Sequence, residues 1–282
     1  MPELPEVETI AHALREGGRD GPSIVGKTVI RTHIYWKRTL VVPNPAGFTR
    51  RLIGLKLENV SRRGKFIIIQ FTSEFLLFHL RMSGDLKVES NFDPKGHKIP
   101  VQKHDRLILE FNDGTRLTFN DTRKFGRAWL VKDPETIVRD LGPEPLDPAL
   151  NTKDLCQMLI SRSRQLKPLL LDQKFLAGLG NIYTDEALHL ARLHPMMNSG
   201  DITFEQAKSL LKAIRTVLNE GIMRNGASID WAYRGGDFQN HFSAYQCTGE
   251  PCPVCGTPIQ RILVCQRSTH ICPVCQPDPI QQ

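Results

Sequence analysis

Residues 66–71 read FIIIQF, residues 75–80 read FLLFHL and residues 106–111 read RLILEF: three short runs rich in β-formers and separated by turn residues. Asn112-Asp113-Gly114 supplies a hairpin turn directly after the third run. The same β-rich character extends from about Val29 to Val131 without an intervening helical pattern, which predicts an antiparallel sandwich or barrel. Upstream, Val7, Ile10 and Leu14 fall at helical spacing, Pro5 suits a first helical turn and Gly17-Gly18 stops the pattern. A short amphipathic helix therefore precedes the strands.

Downstream, LGPEPLDP at 141–148 cannot continue either regular element and marks a boundary. Helical periodicity then takes over. Asn151 or Thr152 caps a helix through about Ser161, and another begins near Asn181 or Ile182. Thr203 with Gln206 forms a capping box before an apolar face of Ala207, Leu210, Leu211, Ile214, Val217 and Leu218. Residues 223–245, rich in Gly, Asn and aromatics, are expected to be a long mobile loop. The fold class expected is α+β. A helix-led β-sandwich at 1–135 and a linker at 136–150 precede a helical domain at 151–245 and a terminal hairpin at 246–282.

The 37 Lys and Arg outweigh 30 Asp and Glu, a formal charge of +7 that favours a polyanionic partner without demanding one. No apolar run approaches the roughly 18 residues of a membrane span, and the first residues lack the layout of a secretory signal. A soluble cytoplasmic protein is expected. Of seven cysteines, four lie in Cys252-Pro-Val-Cys255 and Cys272-Pro-Val-Cys275, two knuckles that enclose sixteen residues. That spacing suits four thiolates on one tetrahedral zinc, a closed shell with no open position for catalysis. A hairpin this small takes much of its stability from the metal.

The opening MPELPEVE resembles the start of the formamidopyrimidine-DNA glycosylases, and the resemblance continues in order through HLRMSG, NDTRKFG, LGPEPL, KPLLLDQKFLAGLGNIYTDEAL and the CPVC pair. It implies a β-sandwich, a helix-two-turn-helix domain and a zinc-finger hairpin, with damaged double-stranded DNA held in the cleft between them. By this resemblance Pro2, once Met1 is removed, is a secondary-amine nucleophile, Glu3 is the acid/base and Glu6 orders the N-terminus. Lys65 is implied at a phosphate beside the lesion, with Lys174 a second lysine near the cleft. Asn181 and the finger arginine Arg267 would hold phosphates, and Met82, Arg123 and Phe125 would fill the gap left by an extruded nucleotide.

The implied activity is a bifunctional glycosylase and lyase for oxidised purines, working as a bacterial, nucleoid-associated monomer with one structural zinc and no redox or nucleotide cofactor. Two alternatives stand beside it: an endonuclease VIII type directed at oxidised pyrimidines, and a catalytically silent DNA-binding protein. The chain departs from the pattern at Arg81, where glycine is expected before Met82, and at YQCTGEPC before the first knuckle.

Overall fold

The computed structural model describes residues 1–19, 21–228 and 235–278. The chain divides into two compact units, Met1–Arg139 with Asn225–Gly236, and Asp140–Arg224 with Asp237–Gln282.

The first unit opens with α1 (Leu4–Glu16), whose first turn holds Pro5 and whose end is set by Gly17 at φ 87°. Its buried face is Leu4, Val7, Ile10, Ala11 and Leu14, the stripe that helical spacing puts on one side. Then follow β1 (Val29–Ile34), β2 (Leu40–Val42), α2 (Pro45–Leu52), β3 (Leu57–Arg63), β4 (Phe66–Phe71), β5 (Phe75–His79), β6 (Gly84–Ser90), β7 (Asp105–Phe111), β8 (Thr115–Asp121), β9 (Arg127–Val131) and the single turn α3 (Glu135–Val138). They make a four-stranded sheet ordered β1-β7-β8-β6 and a five-stranded sheet ordered β2-β9-β5-β4-β3. Val60, Ile69, Leu76 and Phe78 from one sheet and Leu109, Leu117 and Phe119 from the other share one core with Val7 and Ile10 of α1. The helix packs on β3 and β4, the strands whose connecting turn carries Lys65.

Two details differ from the sequence expectation. The β2–β9 pair is parallel, so the sandwich is not wholly antiparallel. A helix, α2, interrupts the strand region: Asn44 accepts a hydrogen bond from the Gly47 amide at 2.8 Å and Pro45 fills the first turn.

In the second unit α4 (Thr152–Ile160) is capped by Asn151, α5 (Leu166–Leu170) is short, α6 (Asn181–Ala191) follows Gly180, and α7 (Phe204–Met223) starts from the Thr203/Gln206 capping box. The hairpin β10 (Gln260–Val264) and β11 (Arg267–Ile271) is turned by Cys265 at φ 46° and Gln266 at φ 63°, the paired left-handed conformations that match the twist of a two-residue hairpin. No helix among the described residues is long and apolar enough to cross a membrane.

The expectation of a long mobile loop at 223–245 is corrected where the chain is described. Phe238 is fully buried and stacks on Tyr183 with ring centroids 5.2 Å apart, and an aromatic series continues through Phe242 and Tyr245 to His270. Glu186 of α6 accepts the amides of Ser243, Ala244 and Tyr245. Residues 229–234 lie outside the described residues.

Helices α6 and α7 approach closely because Gly221 has no side chain: a Cβ there would stand 2.5 Å from the Tyr183 ring. Gly221→Ala sets two effects against each other. Alanine favours a helix interior by about 1 kcal/mol, whereas overpacking costs about 1–3 kcal/mol. Tyr183 is held against Phe238 and cannot swing aside. The expected outcome is net destabilisation, read as a lower urea midpoint for the helical unit; a raised midpoint would show that the ring yields.

Candidate functional site

At the N-terminus two carboxylates three residues apart are buried, Glu3 at 3% exposure and Glu6 at 2%. Glu6 Oε2 accepts the Glu3 amide at 2.7 Å, one half of a capping box that starts α1. Its other oxygen accepts the Ala227 amide at 2.8 Å. The segment that follows Met1 is thereby tied both to the helix and to residues 225–227. Gly226 at φ 79° is required at this contact, because a Cβ would stand 2.6 Å from Glu6 Oε1. A few residues beyond, Ser228 Oγ donates to the Gly236 carbonyl and accepts the Gly236 amide, both at 2.9 Å.

Lys65, buried, immediately precedes β4, and Phe66 pairs in register with His79 at the end of β5. His79, which the sequence reading did not single out, is pulled down to about 3 by burial first and then by the charges of Arg81 and Lys65. It is a neutral imidazole at physiological pH. Its Nδ1 accepts the Arg81 amide at 3.1 Å, so the ring proton sits on Nε2. The signal available in sequence was HLRMSG itself, in which a histidine ends an otherwise apolar strand.

Met82 and Phe125 stand out from the sandwich at 43% and 51% exposure. Large apolar side chains this exposed are not core residues. Arg123 Nη1 lies 3.5 Å from Met82 Sδ, so the structure brings Met82 and Arg123 together with Phe125 in the same turn. Asp121, at the end of β8, shapes that turn. It takes the Ser83 hydroxyl and the Arg123 amide on one oxygen and the Gly126 amide at 2.8 Å on the other. Lys124, at φ 61°, places its Nζ 4.3 Å above the Trp36 ring, a cation–π contact that also restrains the turn.

In the second unit Lys174 is exposed and 3.4 Å from Asp140, a surface pair that contributes little to stability. Asn181 opens α6 and donates through Nδ2 to the Ser268 carbonyl at 3.0 Å, which ties it to the strand that begins with the exposed Arg267. The same carbonyl accepts Lys167 Nζ at 3.0 Å. Lys167 is fully buried. It also reaches Asp185 at 2.5 Å and Thr269 at 2.8 Å, while the other Asp185 oxygen accepts the amide and Nδ1 of His270. This network joins α5 and α6 to β11, and sequence reasoning passed over Lys167 because its partners are 18 and about a hundred residues away.

Cys252, Cys255, Cys272 and Cys275 present sulfurs that all lie within 4.8 Å of one another. The Cys252–Cys275 and Cys255–Cys272 separations are 3.9 and 3.4 Å. A zinc–sulfur distance of about 2.3 Å in a tetrahedron gives a sulfur–sulfur edge of about 3.8 Å, so the donor set fits one zinc ion. Four thiolates at this spacing repel one another strongly, which a dication offsets. The ion is structural: four protein ligands complete its shell, and His189 Nε2 stands 3.4 Å from Cys252 Sγ as an outer partner.

A helix-led sandwich with a buried carboxylate pair at its start, and a helical unit closed by a four-cysteine zinc ribbon, define the architecture. Three family models match in order: the formamidopyrimidine-DNA glycosylase N-terminal domain over residues 1–128, the H2TH domain of the same enzymes over 141–232, and a zinc finger found in FPG and IleRS over 249–277. The chain is 42% identical to the formamidopyrimidine-DNA glycosylase of Protochlamydia amoebophila, over 98% of this chain and 99% of the relative. It is 38% identical to that of Herpetosiphon aurantiacus, over 98% and 100%. Among solved structures it is similar to MutM in complex with DNA containing carbocyclic 8-oxo-G, and to the Lactococcus lactis Fpg in complex with FAPY-dG DNA. Each superposes with a TM-score of 0.88 at 33% identity, over 98% of this chain and all of the other. The chain belongs to the formamidopyrimidine-DNA glycosylase family.

The closed sulfur shell makes a direct expectation. The protein carries one zinc per chain by elemental analysis, and Cys272→Ser loses the ion together with affinity for duplex DNA while the sandwich unit keeps its strand signal in circular dichroism. Normal DNA binding by a zinc-free chain would show that the ribbon is dispensable.

Proposed function

We propose that this protein excises oxidised purines, 8-oxoguanine and formamidopyrimidines, from duplex DNA through the secondary amine of Pro2, and then cleaves the strand at the same site. The observation that carries the reading is the double anchoring of Glu6 on the amides of Glu3 and Ala227, which holds the residue next to Pro2 in the chain, with the Glu3 side chain buried. With Met1 removed, the Pro2 amine has an intrinsic pKa of about 7.7–8.0, and a useful neutral fraction exists near physiological pH. Attack on the anomeric carbon displaces the damaged base and, after ring opening assisted by Glu3, leaves an iminium. That cation is an electron sink for successive β and δ eliminations of the two phosphates, so one amine accounts for both glycosylase and lyase steps.

Lys65 and the Nε2–H of His79 supply donors to the phosphate beside the lesion. In the second unit, Arg267 and Asn181 donate to backbone phosphates of the duplex, with Lys174 a secondary donor. Met82, Arg123 and Phe125 stand in for the extruded nucleotide, Met and Phe replacing its stacking and Arg donating to the widowed base. The protein acts as a monomer on the bacterial nucleoid. Support also comes from the Lactococcus lactis relative, whose solved complexes hold FAPY-dG DNA and abasic-site DNA, the forms on which base release and strand cleavage act.

Borohydride reduction during turnover of an 8-oxoguanine:cytosine duplex traps a covalent adduct whose peptide mapping places the link at residue 2. Retention of Met1 abolishes trapping, and Glu3→Gln slows base release more than it weakens DNA binding. An adduct at Lys65 or Lys174 in the unmodified enzyme would falsify the assignment. Faster excision of thymine glycol than of 8-oxoguanine would place the chain with the pyrimidine-directed type, and binding without excision would make it a silent DNA-binding protein.

Base extrusion costs on the order of a few kcal/mol, part of which the exposed wedge returns. Arg123→Ala or Phe125→Ala is therefore expected to slow excision of 8-oxoguanine about tenfold or more, yet to change cleavage of a preformed abasic site much less. Equal losses on both substrates, measured in single-turnover assays, would mean that the wedge acts after extrusion.

A further inference from the structure

The turn from β5 to β6 contains Arg81 at φ 55°, in the left-handed region where a Cβ meets the following carbonyl and glycine is the natural occupant. Nothing in the turn requires an arginine. The hydrogen bond from residue 81 to His79 Nδ1 is made by the backbone amide and would survive any residue that keeps a backbone N–H. The guanidinium is exposed and makes no hydrogen bond or ion pair among the described residues. Its charge and that of Lys65 both act on His79. A cation on a left-handed backbone, with no partner among the described residues, gains nothing in the protein alone, and it lies immediately before the exposed wedge residue Met82.

We infer that Arg81 is a DNA-binding residue, gripping a backbone phosphate of the duplex next to the Met82 wedge and extending the strip of donors formed by Lys65 and His79. The inference rests on the proposed action on duplex DNA. A phosphate supplies what the turn lacks: an acceptor and a counter-charge for the guanidinium. The contact is to backbone, so it adds affinity and register at the wedge without selecting a base.

The test compares the unmodified protein with Arg81→Gly, Arg81→Gln and Arg81→Lys, using fluorescence anisotropy on a duplex that carries a tetrahydrofuran abasic analogue, between 50 and 200 mM salt, alongside thermal melts. One lost phosphate contact lowers the slope of log affinity against log salt by about 0.9, so a roughly fivefold loss at 50 mM shrinks to less than twofold at 200 mM. Arg81→Gly and Arg81→Gln are expected to show that loss, and Arg81→Lys to keep the original slope. The melting temperature of Arg81→Gly is expected to hold or rise, because strain is released. Wild-type affinity and slope in both Arg81→Gly and Arg81→Gln would overturn the inference, as would a glycine variant that loses thermal stability while the glutamine variant binds normally. Failure of the unmodified protein to bind the duplex would instead strike at the proposed function.

Discussion

A carboxylate removed from water must receive hydrogen bonds or lose its charge, and at the start of this chain Glu6 receives them from the backbone. It takes the amide of Glu3, three residues before it, and the amide of Ala227, near the far end of the sequence. Both are groups that the fold must satisfy anyway: the first is an orphan donor of the helix start, the second belongs to a glycine-led turn. One side chain thus sets where α1 begins, where residues 2 and 3 lie and where residues 225–227 close against the sandwich unit. The arrangement tolerates no Cβ at Gly226, and it leaves Glu3 buried next to Pro2 in the chain.

The second unit solves a related problem with the opposite sign. Lys167 has no access to solvent, and among the described residues its Nζ donates to Asp185, Thr269 and the Ser268 carbonyl. Asp185 in turn uses its second oxygen on His270. Removing one member of such a network leaves a buried charge without compensation, which costs several times what an exposed pair such as Lys174–Asp140 contributes. The zinc ion holds the ribbon together internally; the lysine network holds the ribbon to the helices.

Much of this was legible in the sequence wherever the signal is local. The β-rich runs between turn residues, the Asn151 and Thr203 caps, the Pro5 start and Gly17 stop of α1, and the paired knuckles all depend on neighbours within a few residues. Helix α2 was hidden because its eight residues lie among β-formers, although Asn44-Pro45 is a cap and first turn in plain view. Phe238 and Tyr245 were read as loop residues because Tyr183 and His270, which cover them, are distant in sequence. For the site, the identity of Met82, Arg123 and Phe125 came from resemblance alone. The roles of His79, Asp121 and Lys167 depend on register and tertiary partners that no spacing rule encodes.

The shared carbonyl of Ser268 has an evolutionary corollary. Because it accepts both the ammonium of Lys167 and the amide of Asn181, a shift of that peptide is felt at once by a structural charge and by the head of α6. Substitutions at Lys167, Asp185, Asn181 and Thr269 are therefore expected to be non-additive, since all four share one network. The turn of Cys265 and Gln266, one step along the same hairpin, is constrained differently: its side chains are exposed, and what it must keep is a backbone that enters the left-handed region twice.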